Sequence, residues 1–461
     1  MTNKDGRVNS PRRPGRIPGW RRALLAGAAL LIAGGCSDEI PTSEDGNLIP
    51  IDAQTVQVFL DWEEFGRDFR TFGGFSTPAA LSTLHIAREY RGDLDAAALL
   101  RFAGLPGSVL VRPPGSPTTQ ADTAYVPVGG TMVVRMDTTR FRPEVPIELT
   151  ASRIISRWDE RTAGWAMAVD TFGDALAWPV PGAGESVPFS TVTWDPEVAD
   201  SVVFEVDSVT ANAWRRGDVE ERGARISVNT PGARLEATTA IFRADVRSQV
   251  NPDTLIPLAA NPLNQTTIYA PEVGVSPDEF RIGGAPARRA TLRLALPSRI
   301  EEGNPVCAAV ACPLELRPER IVYAGLVMTT APTTPAGLAP VDTLRMDVRP
   351  ALAPDRLPKS PLGPSVQPSI RRIPATAFLG DAGVTVEVPM TRYFRDLLGG
   401  VEPEPGEGTG VGESSAVPST LTFLSPSEPV SLGFGSFVGP GSAGEPFLRL
   451  ILTLSDGVSL P

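Results

Sequence analysis

The chain has 461 residues, 42% of them hydrophobic, with 44 glycines, 47 prolines and a formal net charge of −11. Glycine and proline together make roughly a fifth of the residues, below the 25–30% that marks low-complexity disorder, so the apolar content is free to build cores. The acidity excludes nucleic acid as a natural partner, because phosphate backbones repel a negative protein.

Taken in chain order, Arg12, Arg13, Arg16, Arg21 and Arg22 lead into an apolar run over 23–33. That is the pattern of a cleaved signal peptide, and the run is shorter than the roughly 20 apolar residues a membrane-crossing helix needs. It continues into LIAGGC (31–36), which resembles the bacterial lipoprotein signal, with Ala33 where those signals most often have leucine. The resemblance implies removal of residues 1–35, diacylation of Cys36 and a membrane partner held through that lipid anchor. Ser37 beside the cysteine is similar to the sorting pattern that sends such lipoproteins to an outer membrane, so an extracytoplasmic location is expected. An ordinary cleaved signal with an incidental cysteine is the alternative. Residues 1–35 carry Lys4 and six arginines against Asp5, so the chain from Cys36 onward is more acidic still, at −17. Residues 36–52 are polar, acidic and aperiodic, as in a flexible tether.

From residue 53 onward, short alternating apolar runs are broken by Gly, Pro, Asp and Asn, which predicts antiparallel sheet. The runs also recur in order. ALLRFAGLP (98–106), VVRMDTT (133–139) and IELTA (147–151) are answered by ATLRLALP (290–297), GLVMTT (325–330) and TLRMDV (343–348). VFEVD (203–207) and TVEVP (385–389) each precede a short helical segment, ended by Gly217 and Gly399; Met390, Tyr393, Phe394, Leu397 and Leu398 share one stripe of the second. Strands at 224–228 and 421–423, then 240–242 and 447–452, close the two copies. The expected fold is all-β: two tandem jelly-roll-like antiparallel β-sandwiches, at 53–247 and 278–461, with a connecting segment at 248–277. The stretch 399–418, rich in Gly, Pro and Glu, is expected to be a mobile loop in the second.

WDERTAGW (158–165) falls in the first copy only. Read as a strand it turns Trp158, Glu160 and Thr162 to one face and Asp159 and Arg161 to the other, so the adjacent acids diverge and cannot flank a glycosidic bond. An Ala163-Gly164 turn would fold Trp165 back on Trp158. Packing is the economical reading; the competing one makes Trp158, Trp165, Trp178 and Trp194 stacking platforms for sugar rings. Leu99, Leu100, Arg101 and Phe102, then Trp158, Glu160, Thr162 and Trp165, then Phe204, Val206 and Trp214 together resemble the DNRLRE-type β-sandwich related to carbohydrate-binding module family 96. The second copy has a Pro- and Ser-rich segment at 355–376 in place of the WxExTxxW element. The resemblance implies a jelly-roll-like sandwich on exported proteins, some of which bind acidic polysaccharide; it assigns no ligand contact to any residue here.

Cys36, Cys307 and Cys312 are the three cysteines. With Cys36 lipidated, Cys307 and Cys312 are expected to close a short disulfide in an oxidising compartment. A thiolate metal site would need further ligands, and His85 is the single histidine. In LHIAR (84–88), His85 faces away from Leu84 and Ile86 and is expected to be solvated. The doublets Glu63-Glu64, Glu220-Glu221 and Glu301-Glu302 are expected on the surface. GxSxG, GxxxxGK, HExxH and DxDxDG motifs do not occur, and no cofactor is called for. The expected function is non-catalytic: surface attachment, glycan or polymer binding, or envelope assembly. The alternatives are a polysaccharide-acting hydrolase or lyase, and an accessory subunit docking on an envelope protein.

Overall fold

The structure, a computed structural model, describes residues 54–217, 222–274, 279–380, 383–399, 417–426, 428–429 and 431–454. The expected signal peptide, Cys36 and tether lie outside these residues, as do Glu220, Glu221 and residues 400–416 of the expected loop.

The chain opens with β1 (Gln54–Leu60), α1 (Trp62–Phe65) and β2 (Gly66–Phe72). Then come β3 (Leu84–Tyr90), β4 (Leu94–Phe102), β5 (Val109–Val111), β6 (Gln120–Asp122), β7 (Val126–Asp137), β8 (Ile147–Arg153), β9 (Met167–Thr171), β10 (Asp174–Ala177), β11 (Val187–Trp194) and β12 (Ser201–Val206). After α2 (Ser208–Arg216) follow β13 (Gly223–Val228), β14 (Arg234–Arg247), β15 (Leu255–Ala260) and β16 (Pro262–Ala270). One antiparallel sheet runs β11-β8-β13-β4-β3-β14-β7-β12, with β15 added to β14 and β16 to β4. Alternate residues point inward: Leu100 and Phe102 of β4, Leu149 of β8 and Ile226 of β13 share one core with Val134 of β7, Phe204 of β12 and Phe242 of β14. Asp207 caps α2 by accepting from the Thr210 amide at 2.6 Å, and buried Trp214 seats the helix on Phe102 and Phe242.

The second half contains β17 (Phe280–Gly283), β18 (Arg289–Leu294), β19 (Arg299–Ile300), β20 (Leu314–Glu315), β21 (Ile321–Ala331), β22 (Leu344–Pro350), β23 (Arg371–Ile373) and β24 (Thr385–Pro389). It ends with α3 (Thr391–Gly399), β25 (Thr420–Leu424), β26 (Phe434–Phe437) and β27 (Phe447–Leu454). Its sheets run β1-β27-β21-β26-β17, with β24 on β21, and β2-β18-β25-β22-β23. They enclose Phe280, Leu292, Leu326, Met346, Phe423 and Leu450. Met390, Tyr393 and Phe394 are buried at α3, while Leu397 and Leu398 pack partly buried against the same core, as the stripe requires. Among the described residues strand makes up 47% and helix 11%, so the fold is all-β. The Cys307–Cys312 disulfide is formed, with Cα atoms 5.5 Å apart.

The repeat holds to the level of register. Leu100 of β4 stands opposite Ala224 of β13 and Gln265 of β16, and Leu292 of β18 stands opposite Leu421 of β25 and Phe69 of β2. Both outer ladders skip one residue at the corresponding point, Leu263 in β16 and Arg67 in β2, so each carries the same β-bulge. Phe204 opposes Met132 as Val386 opposes Met328. The strand membership differs from the expected boundaries, however. β15 and β16, from the expected connecting segment 248–277, complete the first half; β1 and β2, from the start of the expected first sandwich, complete the second. A ladder is satisfied by hydrogen bonds to any edge in reach, whatever the distance in sequence, so strand patterning locates strands but not their neighbours.

Residues 55–454 form one compact unit. Leu81, Ala87, Leu94 and Ala96 of the first half share a small core with Ala285, Leu338, Leu432 and Phe434 of the second. Asp93 accepts from the amides of Ala336 and Gly337 at 2.6 and 2.7 Å, and Arg234 donates to the Gly337 carbonyl at 3.0 Å.

Candidate functional site

WDERTAGW is a turn, not a strand, which corrects the expected alternation. Asp159 captures the chain locally: its Oδ1 accepts from the amides of Arg161 and Thr162 and from the Thr162 hydroxyl, each at 3.0 Å, and its carbonyl accepts from the Ala163 amide at 2.8 Å. A short acid that satisfies the following N–H groups favours a turn over a ladder. The Thr162 hydroxyl in turn accepts from the Asp170 amide at 3.1 Å. Glu160 lies 3.5 Å from the buried Arg101 guanidinium, whose carbon sits 4.4 Å from the centre of the Trp158 ring. Both acids of the motif are thus engaged in holding the turn on the sheet.

Three of the four candidate stacking tryptophans are packed into the interior. Trp158, Trp178 and Trp194 are buried, and Trp165 is half-buried. Trp158 and Trp178 form a core with Leu99 and Ile268 on the outer side of β4 and β16. Trp178 Nε1 donates to the Gly164 carbonyl at 3.0 Å, and Trp194 Nε1 to the Ala199 carbonyl at 2.9 Å. Trp165 lies against Gly182, where a Cβ would come within 2.7 Å of the indole. Each large ring buries on the order of 200 Å², and packing claims it.

The motif instead forms one wall of a groove. A cavity of about 420 Å³ over Leu263 and Gln265 of β16 and one of about 450 Å³ over Thr267 and Tyr269 share Thr77 and Arg161 between them. The one-turn segment Pro78–Ala80 also lines this space. Among the described residues β16 ladders with β4, and its alternate residues Leu263, Gln265, Thr267 and Tyr269 line this space. Arg161 is exposed and makes no ion pair among the described residues. Asp170 is exposed on the rim, and Glu272 at one end accepts from the Trp165 and Ala166 amides through one oxygen. Nothing in the sequence pattern marked Thr77, Gln265 or Asp170. They belong to three separate stretches whose meeting depends on the β4–β16 register.

His85 corrects the expected solvated strand histidine. It is fully buried, with Nδ1 3.3 Å from Oε1 of buried Glu236 on β14. Arg140 lies 3.8 Å from Glu236 and 2.8 Å from Asp342 in the second half. Burial, reinforced by Arg234 and Arg140, holds the imidazole pKa well below its usual value, and burial pushes the Glu236 carboxyl up. β3 is covered on both sides because the other half docks against it, which a two-sided pattern of alternate residues does not reveal. Among the described residues no group of three or more His, Cys, Asp and Glu side chains is gathered to hold a metal ion, and no helix is long and apolar enough to cross a membrane. No protein-family model matches the chain, and no curated protein matches it in sequence.

Proposed function

We propose that this is a lipid-anchored, extracytoplasmic binding protein that holds an extended, hydroxyl-rich polymer such as a glycan without reacting with it. The observation that carries the reading is the pair of cavities that share Arg161 and Thr77 and are lined by alternate residues of β16. Arg161 supplies donors, Asp170 supplies acceptors, and Thr77 and Gln265 supply either, a mixture suited to hydroxyl groups. Pro78, Met167 and Tyr269 add apolar surface for the faces of the repeating units. The commitment of Asp159 to backbone amides and of Glu160 to Arg101 leaves neither poised as a proton carrier, which favours binding over hydrolysis or elimination. The resemblance to the DNRLRE-type sandwich agrees with this reading through residues 99–102 and the WxExTxxW element.

Retention on insoluble glycans, measured beside release of reducing ends or unsaturated products from soluble ones, tests it. The expected result is retention without turnover, weakened about tenfold or more in Arg161→Ala, a loss of about 1.4 kcal/mol. Specific turnover would establish the hydrolase or lyase alternative instead. Failure of every glycan, with Arg161→Ala indistinguishable from the native chain, would remove the groove as the binding site.

A second reading, docking on an envelope protein, is favoured by Phe172. This fully exposed ring sits between β9 and β10 at the tip of their hairpin, where Arg157 pairs with Asp174 through two 2.8 Å hydrogen bonds. A large ring held out on a braced hairpin has the form of an interface anchor.

A further inference from the structure

The outer strand positions of the two halves correspond, in register where β16 meets β4 and β2 meets β18, yet they are filled from different ends of the chain. In the first half they hold β15 and β16, which follow β14 directly; in the second they hold β1 and β2. β1 is the terminal strand of one sheet, beside β27, and β2 is the terminal strand of the other, beside β18. The segment can therefore leave without breaking any ladder between the remaining strands. Its departure would uncover a deep cleft, because Val58, Leu60 and Phe65 are fully buried between the sheets with Phe280, Leu292 and Leu450. The edge contacts are specific as well as apolar: the Ala295 amide donates to the Phe65 carbonyl at 2.8 Å, Asn304 Nδ2 to the Phe59 carbonyl at 2.9 Å, and Phe69 packs on Phe280 at 5.1 Å. The segment joins the first half through Gly73-Gly74, and Gly74, at φ +81°, has open space around its Cβ position.

We infer that residues 54–72 are a built-in ligand of the second half: a separable two-strand clip whose binding site is the cleft between the free edges of β18 and β27. The same site accepts the clip of a second copy when its own has been withdrawn. Binding here is strand addition on two sheets at once, with backbone hydrogen bonds supplying affinity and the inward side chains supplying register. Arg67 at the bulge and Asp68 mark the register that Leu263 and Asn264 mark in the first half.

The test uses the full chain with a protease recognition sequence inserted between Gly73 and Gly74. After cleavage, the N-terminal fragment should co-elute with the body in native buffer and separate only in denaturant. The stripped body, returned to native buffer, should melt about 5 °C or more below the cut complex. Adding fluorescently labelled residues 54–72 should restore that melting temperature and retain the label. Val58→Asp in the same cut chain should release the fragment in native buffer, whereas the exposed-site change Glu63→Gln should not. The inference is overturned if the cut fragment leaves in native buffer while the body keeps its near-ultraviolet circular dichroism and melting temperature, or if the stripped, folded body fails to retain the labelled segment.

Discussion

At the scale of single residues, two side chains at the heart of the first half have roles that patterning leaves open. His85 and Glu236 pair in the interior, with Arg140 and Arg234 close by. Because the folded imidazole has a depressed pKa, the unfolded chain binds more protons below its ordinary pKa near 6.5, so His85 lowers stability as the pH falls through that value. Glu236 has the opposite sign. Its raised pKa makes the folded state hold its proton more tightly, so its contribution is present at low pH and is lost as the pH rises above the ordinary carboxyl range. Thermal melts from pH 4 to 8 should show a steeper loss below about pH 6.5 in the native chain than in His85→Gln; parallel profiles would disprove the assignment. Trp158 belongs to the same scale. As a packed ring against Leu99 and Ile268, its replacement by alanine should cost about 3–5 kcal/mol in denaturant unfolding. A loss of glycan retention at unchanged stability would point instead to a stacking role.

At the scale of elements, local chemistry decides between turn and strand. The acid at 159 ends alternation that the neighbouring tryptophan and threonine would otherwise support, because its carboxylate satisfies two amides within its own segment. The segments of α2 and α3 were legible as short helical stretches after VFEVD and TVEVP closed by Gly217 and Gly399, and the burial of α3 follows the Met390-Tyr393-Phe394 stripe. The groove was not legible, since Thr77, Arg161 and Gln265 each read as ordinary surface residues in isolation. The disulfide braces another local element. Cys307 and Cys312 enclose a short loop beside the second core, so the double serine variant should lose about 2 kcal/mol or less, the least that loop closure supplies. The hairpin carrying Phe172 makes a contrasting case: Phe172→Ser should leave unfolding within about 0.5 kcal/mol of native, while abolishing co-purification of a protein partner if docking is its role.

At the scale of the whole molecule, the proposed anchor and the clip act on the same segment. The expected tether leads directly into β1, so an acyl chain on Cys36 would hold the membrane to the strand pair that completes the second half. Cys36→Ser should move the protein from the membrane fraction to the soluble one and remove the acyl mass from its mature N-terminus. Unchanged membrane retention would reject lipidation at that residue. Neither outcome bears on the clip, which is a property of residues 54–72 with or without the lipid.

The strands of the repeat, the two helical segments, the order of the repeat and the cysteine pair were written in the sequence, because alternation, helical periodicity and loop closure act over a few residues. The repeat could be read as far as its order, with 98–106 answered by 290–297, but not as far as its partners. Which strand completes which half, the burial of His85 on both sides and the assembly of the groove were decided only in the tertiary structure. All three depend on edges and faces meeting across long separations, and a strand's own residues specify the face that must be buried without naming the surface that buries it.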